Sequence, residues 1–216
     1  MTDVASAGAD PLVEALLQVE LPTLGHFLEE GFCDPRIRPI GEVGRMAGRA
    51  VTVDLTEPDA IAVNRALVRM RPGAVLVIRV QSGRHAPVGA VTATAALARG
   101  AAGIVVDGPV TDLSALTATA AALPVFATGT TALTTKRLGT AIAGVGRPVI
   151  IGGVSIADGD LVAGDENGVV AFRSDALTPE ILDAARRSDQ AEPELLARIR
   201  RGDPLEDLLA LDTETL

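Results

Sequence analysis

Two aspartates spaced closely at the end of a short apolar run are the residues of this chain best suited to do chemistry. Asp107 ends the run Gly103-Ile-Val-Val-Asp107, Gly108-Pro109 follows, and Asp112 stands five positions after Asp107. Carboxylates are oxygen ligands for hard divalent ions, and magnesium is commonly held by only one or two of them. Upstream, Gly89 opens an Ala- and Leu-rich stretch with the spacing of a helix. A glycine there lets backbone approach a ligand, and the free amides of Gly89, Ala90 and Val91 favour a carboxylate or phosphate. A metal beside such an anion pocket polarises a 2-oxo acid and stabilises an enolate, the core of carbon–carbon cleavage and of decarboxylation. Arg84 and His85, in the loop just before Gly89, add a positive charge and a group that titrates near neutrality. Each of these residues also has a plain reading: Asp107 braces a turn, Asp112 caps the next helix, and Arg84 and His85 decorate a polar loop.

Other chemically capable side chains carry less. His26 sits among Leu24, Phe27 and Leu28 and reads as a packing residue. Cys33, the single cysteine, has no reactive context and excludes both an intrachain disulfide and a Cys-rich zinc site. Lys136 and Arg137 lie in a Thr- and Gly-rich stretch that the sequence does not place. Gly152-Gly153 reads as a strand-bend device, since no phosphate-loop or dinucleotide fingerprint surrounds it.

The elements that must position the two aspartates follow from periodicity and punctuation. Pro11 to Glu20 has helical spacing, with Pro11 in a favoured first-turn position, and a second helix is predicted over 22–31. Gly31 to Ala47 reads as a connecting loop, Ala50 to Leu55 as the first clear strand, and Pro58 to Met70 contains a helix. Val75 to Val80 is a strand of the buried type, followed by the polar loop QSGRHAP. The central helix then runs to Gly100, with Thr92 or Thr94 as its cap, and Gly103 to Asp107 is the next strand. A helix over 112–122, capped by Thr111 or Asp112, leads to a strand at Pro124 to Phe126 and a long surface loop over 128–146. Short strands at 148–151, 154–156, 161–162 and 169–172 are joined by Gly/Asp turns, and helices at 178–187 and 193–201 close the chain. Helices alternating with apolar strands predict an α/β layered single domain over 1–216, with a mixed central sheet flanked by helices. Residues 1–10 are expected to fray, and the tail 203–216 is acidic.

Composition bounds the function. In 216 residues, 19 basic against 28 acidic side chains give a net charge of −9, and there are four Phe but no Trp or Tyr. The chain therefore lacks both the phosphate-neutralising and the base-stacking devices of nucleic-acid binders. No apolar run is long enough to span a bilayer and no leader pattern opens the chain, so a cytoplasmic protein is expected.

Gly89, Arg99-Gly100, Gly103 and Val106-Asp107-Gly108-x-Val110-x-Asp112 together resemble the core motif of the regulator of ribonuclease activity A (RraA) family. That family includes the metal-dependent 4-hydroxy-4-methyl-2-oxoglutarate aldolases, which are class II pyruvate aldolases. Gly48 to Val53, Pro72-Gly73 and, later, Gly152-Gly153-Val154, Gly159-Asp160, Asp165 and Gly168-Val169-Val170 resemble its other blocks. The resemblance implies an RraA-like fold, similar to swivelling phosphohistidine domains, a homotrimer or higher homo-oligomer, and Mg2+ or Mn2+ held at Asp112. It also marks departures. Where family aldolases clamp the substrate carboxylate with an Arg before the metal aspartate, this chain has Thr111. Where they place acids after the helix-opening glycine and three residues past the metal aspartate, it has Ala90 and Ala115. Threonine cannot replace a bidentate guanidinium.

The expectation is a divergent aldolase-family protein that binds a small carboxylate, a lyase or decarboxylase of a 2-oxo acid. Asp107, Asp112, Arg84 and His85 are its catalytic candidates, and Gly89, Ala90, Val91 and Thr111 its substrate-binding ones. A regulatory binding protein on the same scaffold, or an isomerase or cyclase using Arg84 and His85, are the alternatives. An acid missing from the site could come from a neighbouring subunit, with Glu192, Glu194 and Glu206 as candidates.

Overall fold

The protein is described by a computed structural model covering residues 10–210. Residues 1–9 and the end of the acidic tail, 211–216, lie outside the described part.

Helix α1 (Pro11–Leu16) starts on Asp10, whose side chain accepts from the Leu12 amide at 3.1 Å. Helix α2 (Leu21–Leu24) is shorter than its spacing predicts. Past Leu24 the chain is drawn away toward the sheet: Phe32 bridges to Val170 and its ring meets Phe172 edge-on, with centroids 6.2 Å apart. Two residues of the expected connecting loop form β1 (Arg38–Pro39). Strand β2 (Met46–Leu55) begins four residues before the predicted start, because its first half finds an antiparallel partner from late in the sequence.

Helix α3 (Ala60–Arg69), strand β3 (Val75–Val80), helix α4 (Ala90–Ala98) and strand β4 (Gly103–Asp107) follow as the periodicity predicts. A two-residue strand β5 (Pro109–Val110) leads to α5 (Leu113–Thr119) and β6 (Val125–Ala127). The predicted surface loop over 128–146 is anchored at several points. It contains β7 (Gly129–Thr130), which pairs in parallel with β5, and a 3-10 turn at Ile142–Gly144. The hairpin β8 (Val149–Ile151) and β9 (Val154–Ile156) turns on Gly152 and Gly153, whose φ values of +52° and +87° suit the tight turn that glycine permits. Strands β10 (Leu161–Asp165) and β11 (Gly168–Phe172) precede α6 (Pro179–Arg201). The two predicted C-terminal helices are therefore one. Pro193 removes one amide donor, but the Ala, Glu, Leu and Arg around it favour helix strongly enough to run through.

Seven strands form one mixed sheet in the order β1-β6-β4-β3-β2-β10-β11. The inner strands β6, β4, β3 and β2 are mutually parallel, and β1, β10 and β11 pair antiparallel at the flanks. The sheet curls until its two edge strands approach one another. One face packs Val53, Leu76, Ile78, Ile104 and Val106 against α3, α4 and α5. The other face packs Val75, Val77, Val105 and Phe126 against the β8–β9 hairpin. A smaller cluster joins α1, α2 and α6 to β10 and β11. The parallel strands all end at one rim, and the loops that leave that rim carry the chemically capable residues.

Candidate functional site

Asp112 is the one non-glycine residue with positive φ among the described residues, at φ 54° and ψ 46°. Aspartate is among the few side chains that tolerate this left-handed conformation, at a cost of order 1 kcal/mol. The bend turns the carboxylate away from the helix it precedes. Asp112 is the N-cap residue of α5, yet its side chain makes no cap bond there. Instead its Oδ2 accepts from the Ala90 amide at 2.9 Å, so the carboxylate caps α4, across the loop. Thr92 and Thr94, the expected caps of α4, donate to the carbonyls of Pro87 and Ala90 instead.

Gly89 makes this approach possible. Its backbone is extended, so conformational freedom is not what requires glycine. A Cβ built at Gly89 would lie 2.6 Å from Asp112 Oδ2 and 2.7 Å from Thr111 Cγ2. The Thr111 amide completes the clasp by donating to the Val88 carbonyl at 2.9 Å. Of the first amides of α4, those of Val91 and Thr92 have no acceptor among the described residues, and Val91 is 85% exposed. Asp112 Oδ1 likewise has no hydrogen-bond partner there.

Asp107 faces elsewhere. As the last residue of β4 it shares the face of Val105 that packs on the hairpin. Arg36 donates to both its oxygens, at 3.0 and 3.3 Å, and the Gly152 amide donates to Oδ2 at 3.0 Å. The structure thus brings Asp112, Thr111, Gly89 and Ala90 together and commits Asp107 to Arg36 and the hairpin turn. Cys33 lies beside this group. Burial first, and the Asp107 charge second, push its thiol up to about 12, which agrees with a packing role.

Arg84 and His85 stay on the loop before Gly89. His85 Nδ1 lies 3.3 Å from Ser82 Oγ, and neither residue is bonded to Asp107 or Asp112. The loop is held at Ala86, which donates to Leu133 and accepts from Thr135.

Sequence reasoning missed a charged row at the strand ends. Register aligns Asp54 of β2 with Arg79 of β3, and Arg79 with Asp107 of β4. The available signal was a charged residue at the last or next-to-last position of each apolar strand. A hollow of about 620 Å³ on the outer face of α3, between Asn64, Val68 and Ile142, contains no acid.

No group of three or more metal-binding side chains occurs among the described residues. Asp112 is nevertheless an exposed carboxylate with one uncommitted oxygen. Such a donor fits a magnesium-type ion, which keeps waters and takes few protein ligands.

Fold and site together define a mixed α/β domain that presents a carboxylate-capped helix at the rim of a curled sheet. The chain belongs to the RraA-like family (Aldolase/RraA), which matches residues 12–171. It is 37% identical over 137 residues to a Halalkalibacterium halodurans protein bearing a provisional 4-hydroxy-4-methyl-2-oxoglutarate aldolase name. That alignment spans 63% of each chain. Among solved structures it resembles an uncharacterised protein from Pseudomonas syringae pv. tomato, with TM-score 0.74 and 27% identity over 91% of this chain and 96% of that one. It also resembles Streptomyces coelicolor RraAS2, described as an unusual member of the RNase ES inhibitor RraA family. There the TM-score is 0.70 and identity 25%, over 87% of this chain and 95% of that one. No helix among the described residues is long and apolar enough to cross a membrane.

Proposed function

We propose that this protein is a cytoplasmic carbon–carbon lyase of its family, an aldolase or decarboxylase acting on a small 2-oxo acid. The observation that supports this most is the strained Asp112, locked to Ala90 by one oxygen while the other faces solvent. Backbone strain of this kind persists where surrounding structure over-determines it, and it gathers at functional sites. Asp112 would hold the divalent ion, and the amides of Val91 and Thr92 would bind the substrate carboxylate. Bound there, magnesium or manganese would supply Lewis-acid polarisation of the 2-oxo carbonyl. His85, in the loop just before Gly89, is the nearest imidazole in sequence, and Arg84 beside it the nearest cation in sequence. Asp107 acts at one remove, by fixing the hairpin turn and Arg36. Val91 and Leu113, 85% and 51% exposed beside the site, support a homotrimer in which a neighbouring subunit covers them and adds the missing acid.

The test is pyruvate release from 4-hydroxy-4-methyl-2-oxoglutarate and from oxaloacetate, with and without magnesium or manganese. Turnover that vanishes in Asp112→Ala supports the lyase reading, and turnover equal to that variant removes it. One observation favours a second reading: Thr111, Ala90 and Ala115 are all uncharged where the family's aldolases carry charge. A regulatory protein that binds another protein through this rim would show a stoichiometric partner on co-purification and no metal-dependent turnover.

A further inference from the structure

The aligned row Asp54, Arg79 and Asp107 lies on three neighbouring strands, and alternation puts all three side chains on one face. Arg36 extends it past Asp107, so the row reads acid, base, acid, base. The carboxylates are well supplied. Asp107 receives Arg36 and the Gly152 amide, and Asp54 receives Gln81 Nε2 at 3.2 and 3.3 Å. Arg79 is not. Its closest ion-pair partner among the described residues is Asp54 Oδ1 at 3.8 Å, a charge contact too long for a hydrogen bond, and it donates no side-chain hydrogen bond there. A guanidinium has five N–H donors in a fixed fork, and this one, with its side chain 36% exposed, keeps them open to a ligand.

Arg79 opens onto a cavity of about 400 Å³, lined also by Arg36, Gln81, Gly83, Gly108, Thr128 and Asp107, the last with its carboxylate already paired to Arg36. That is within the size range of small-molecule sites. Gly108 is needed because a Cβ there would stand 2.9 Å from the Val80 side chain, and Gly83 leaves open space beside it. The Thr128 hydroxyl has no partner among the described residues. A cation would have to displace Arg36 or Gln81 from a carboxylate, whereas an oxyanion would displace nothing from Arg79.

We propose that this rim is a second anion site, in which Arg79 binds the oxygens of a small carboxylate or phosphate with Thr128 and Gln81 beside it. It does not depend on Asp112. Calorimetric titration of the full chain with sodium malonate and, separately, inorganic phosphate at fixed ionic strength tests it. Saturable binding of either probe is expected, and the probe that binds identifies the class. Arg79→Gln is expected to weaken it about ten- to hundredfold. Arg79→Lys, which keeps the charge but not the fork, should weaken it less, and Asp112→Ala should leave it unchanged. Circular dichroism confirms that each variant folds, and Thr128→Val, with a several-fold loss expected, stands in if Arg79→Gln does not. Absence of saturable binding by both probes would overturn the proposal. So would binding that survives Arg79→Gln, and binding that tightens in Asp112→Ala would place the anion at the α4 amides instead.

Discussion

At the scale of single residues, Asp112 concentrates the chemistry and the strain in one place. If its carboxylate holds the metal, Asp112→Ala should lower kcat/KM on any 2-oxo acid turned over by about a thousandfold, since such charge stabilisation is worth several kcal/mol. Stability separates that effect from the backbone. Both Asp112→Ala and Asp112→Gly lose the cap on Ala90, but only glycine relieves the left-handed backbone. Urea unfolding should therefore find Asp112→Gly more stable than Asp112→Ala by about 1 kcal/mol. Cys33 offers a contrast. With its thiol pushed up to about 12, thiolate accumulates only as pH approaches that value, so native alkylation should be slow and rise with pH well past 9. Unfolding at pH 8 should speed labelling about a thousandfold, which a mass-spectrometric time course would read. Asp107→Asn removes the smaller of the two causes and should raise the native rate.

At the scale of elements, the strap over residues 133–141 is tied down by one buried acid. Asp59 is fully buried and caps α3 by accepting from Ile61 at 2.9 Å. It also accepts from Leu138 at 3.2 Å and Ala141 at 3.0 Å, which pins the strap to the start of α3. Burial by itself would raise its carboxyl, but the converging backbone amides outweigh that and hold it below the ordinary value. A folded value below the unfolded one means the contribution is present above about pH 4 and is lost as pH falls through the folded value. Asp59→Ala should cost about 3 kcal/mol at pH 7 by leaving buried amides unpaired. That difference from wild type should shrink below about pH 4 in denaturant titrations. The helix within Pro58 to Met70 was legible in the sequence, but its Asp59 cap was not assigned there. The strap was not legible, because its partners lie about eighty residues further on.

At the scale of the molecule, β2 joins two kinds of pairing. Its first residues run antiparallel to β10 and its last six parallel to β3. Gly48 lies in the antiparallel part, where a Cβ would meet the Gly73 carbonyl oxygen at 2.1 Å. Gly48→Ala should therefore destabilise the fold by about 2 kcal/mol or more, read as a lowered denaturant midpoint with an unchanged slope.

By itself the sequence determined the layered α/β class, most strands and helices, the family, and the loop around Asp112. These features depend on periodicity, glycine placement and short-range spacing, and a chain carries such signals locally. Tertiary structure alone decided what each charged group faces. Two aspartates five residues apart were drawn as one pair, yet β4 ends between them and the left-handed turn swings Asp112 toward α4. Asp107 instead meets Arg36, seventy-one residues earlier, across the sheet. The same holds for Asp54, Arg79 and Asp107, which become neighbours only through register. Strand pairing is a long-range choice made by burying both faces of the sheet at once, and no local stretch of sequence encodes it.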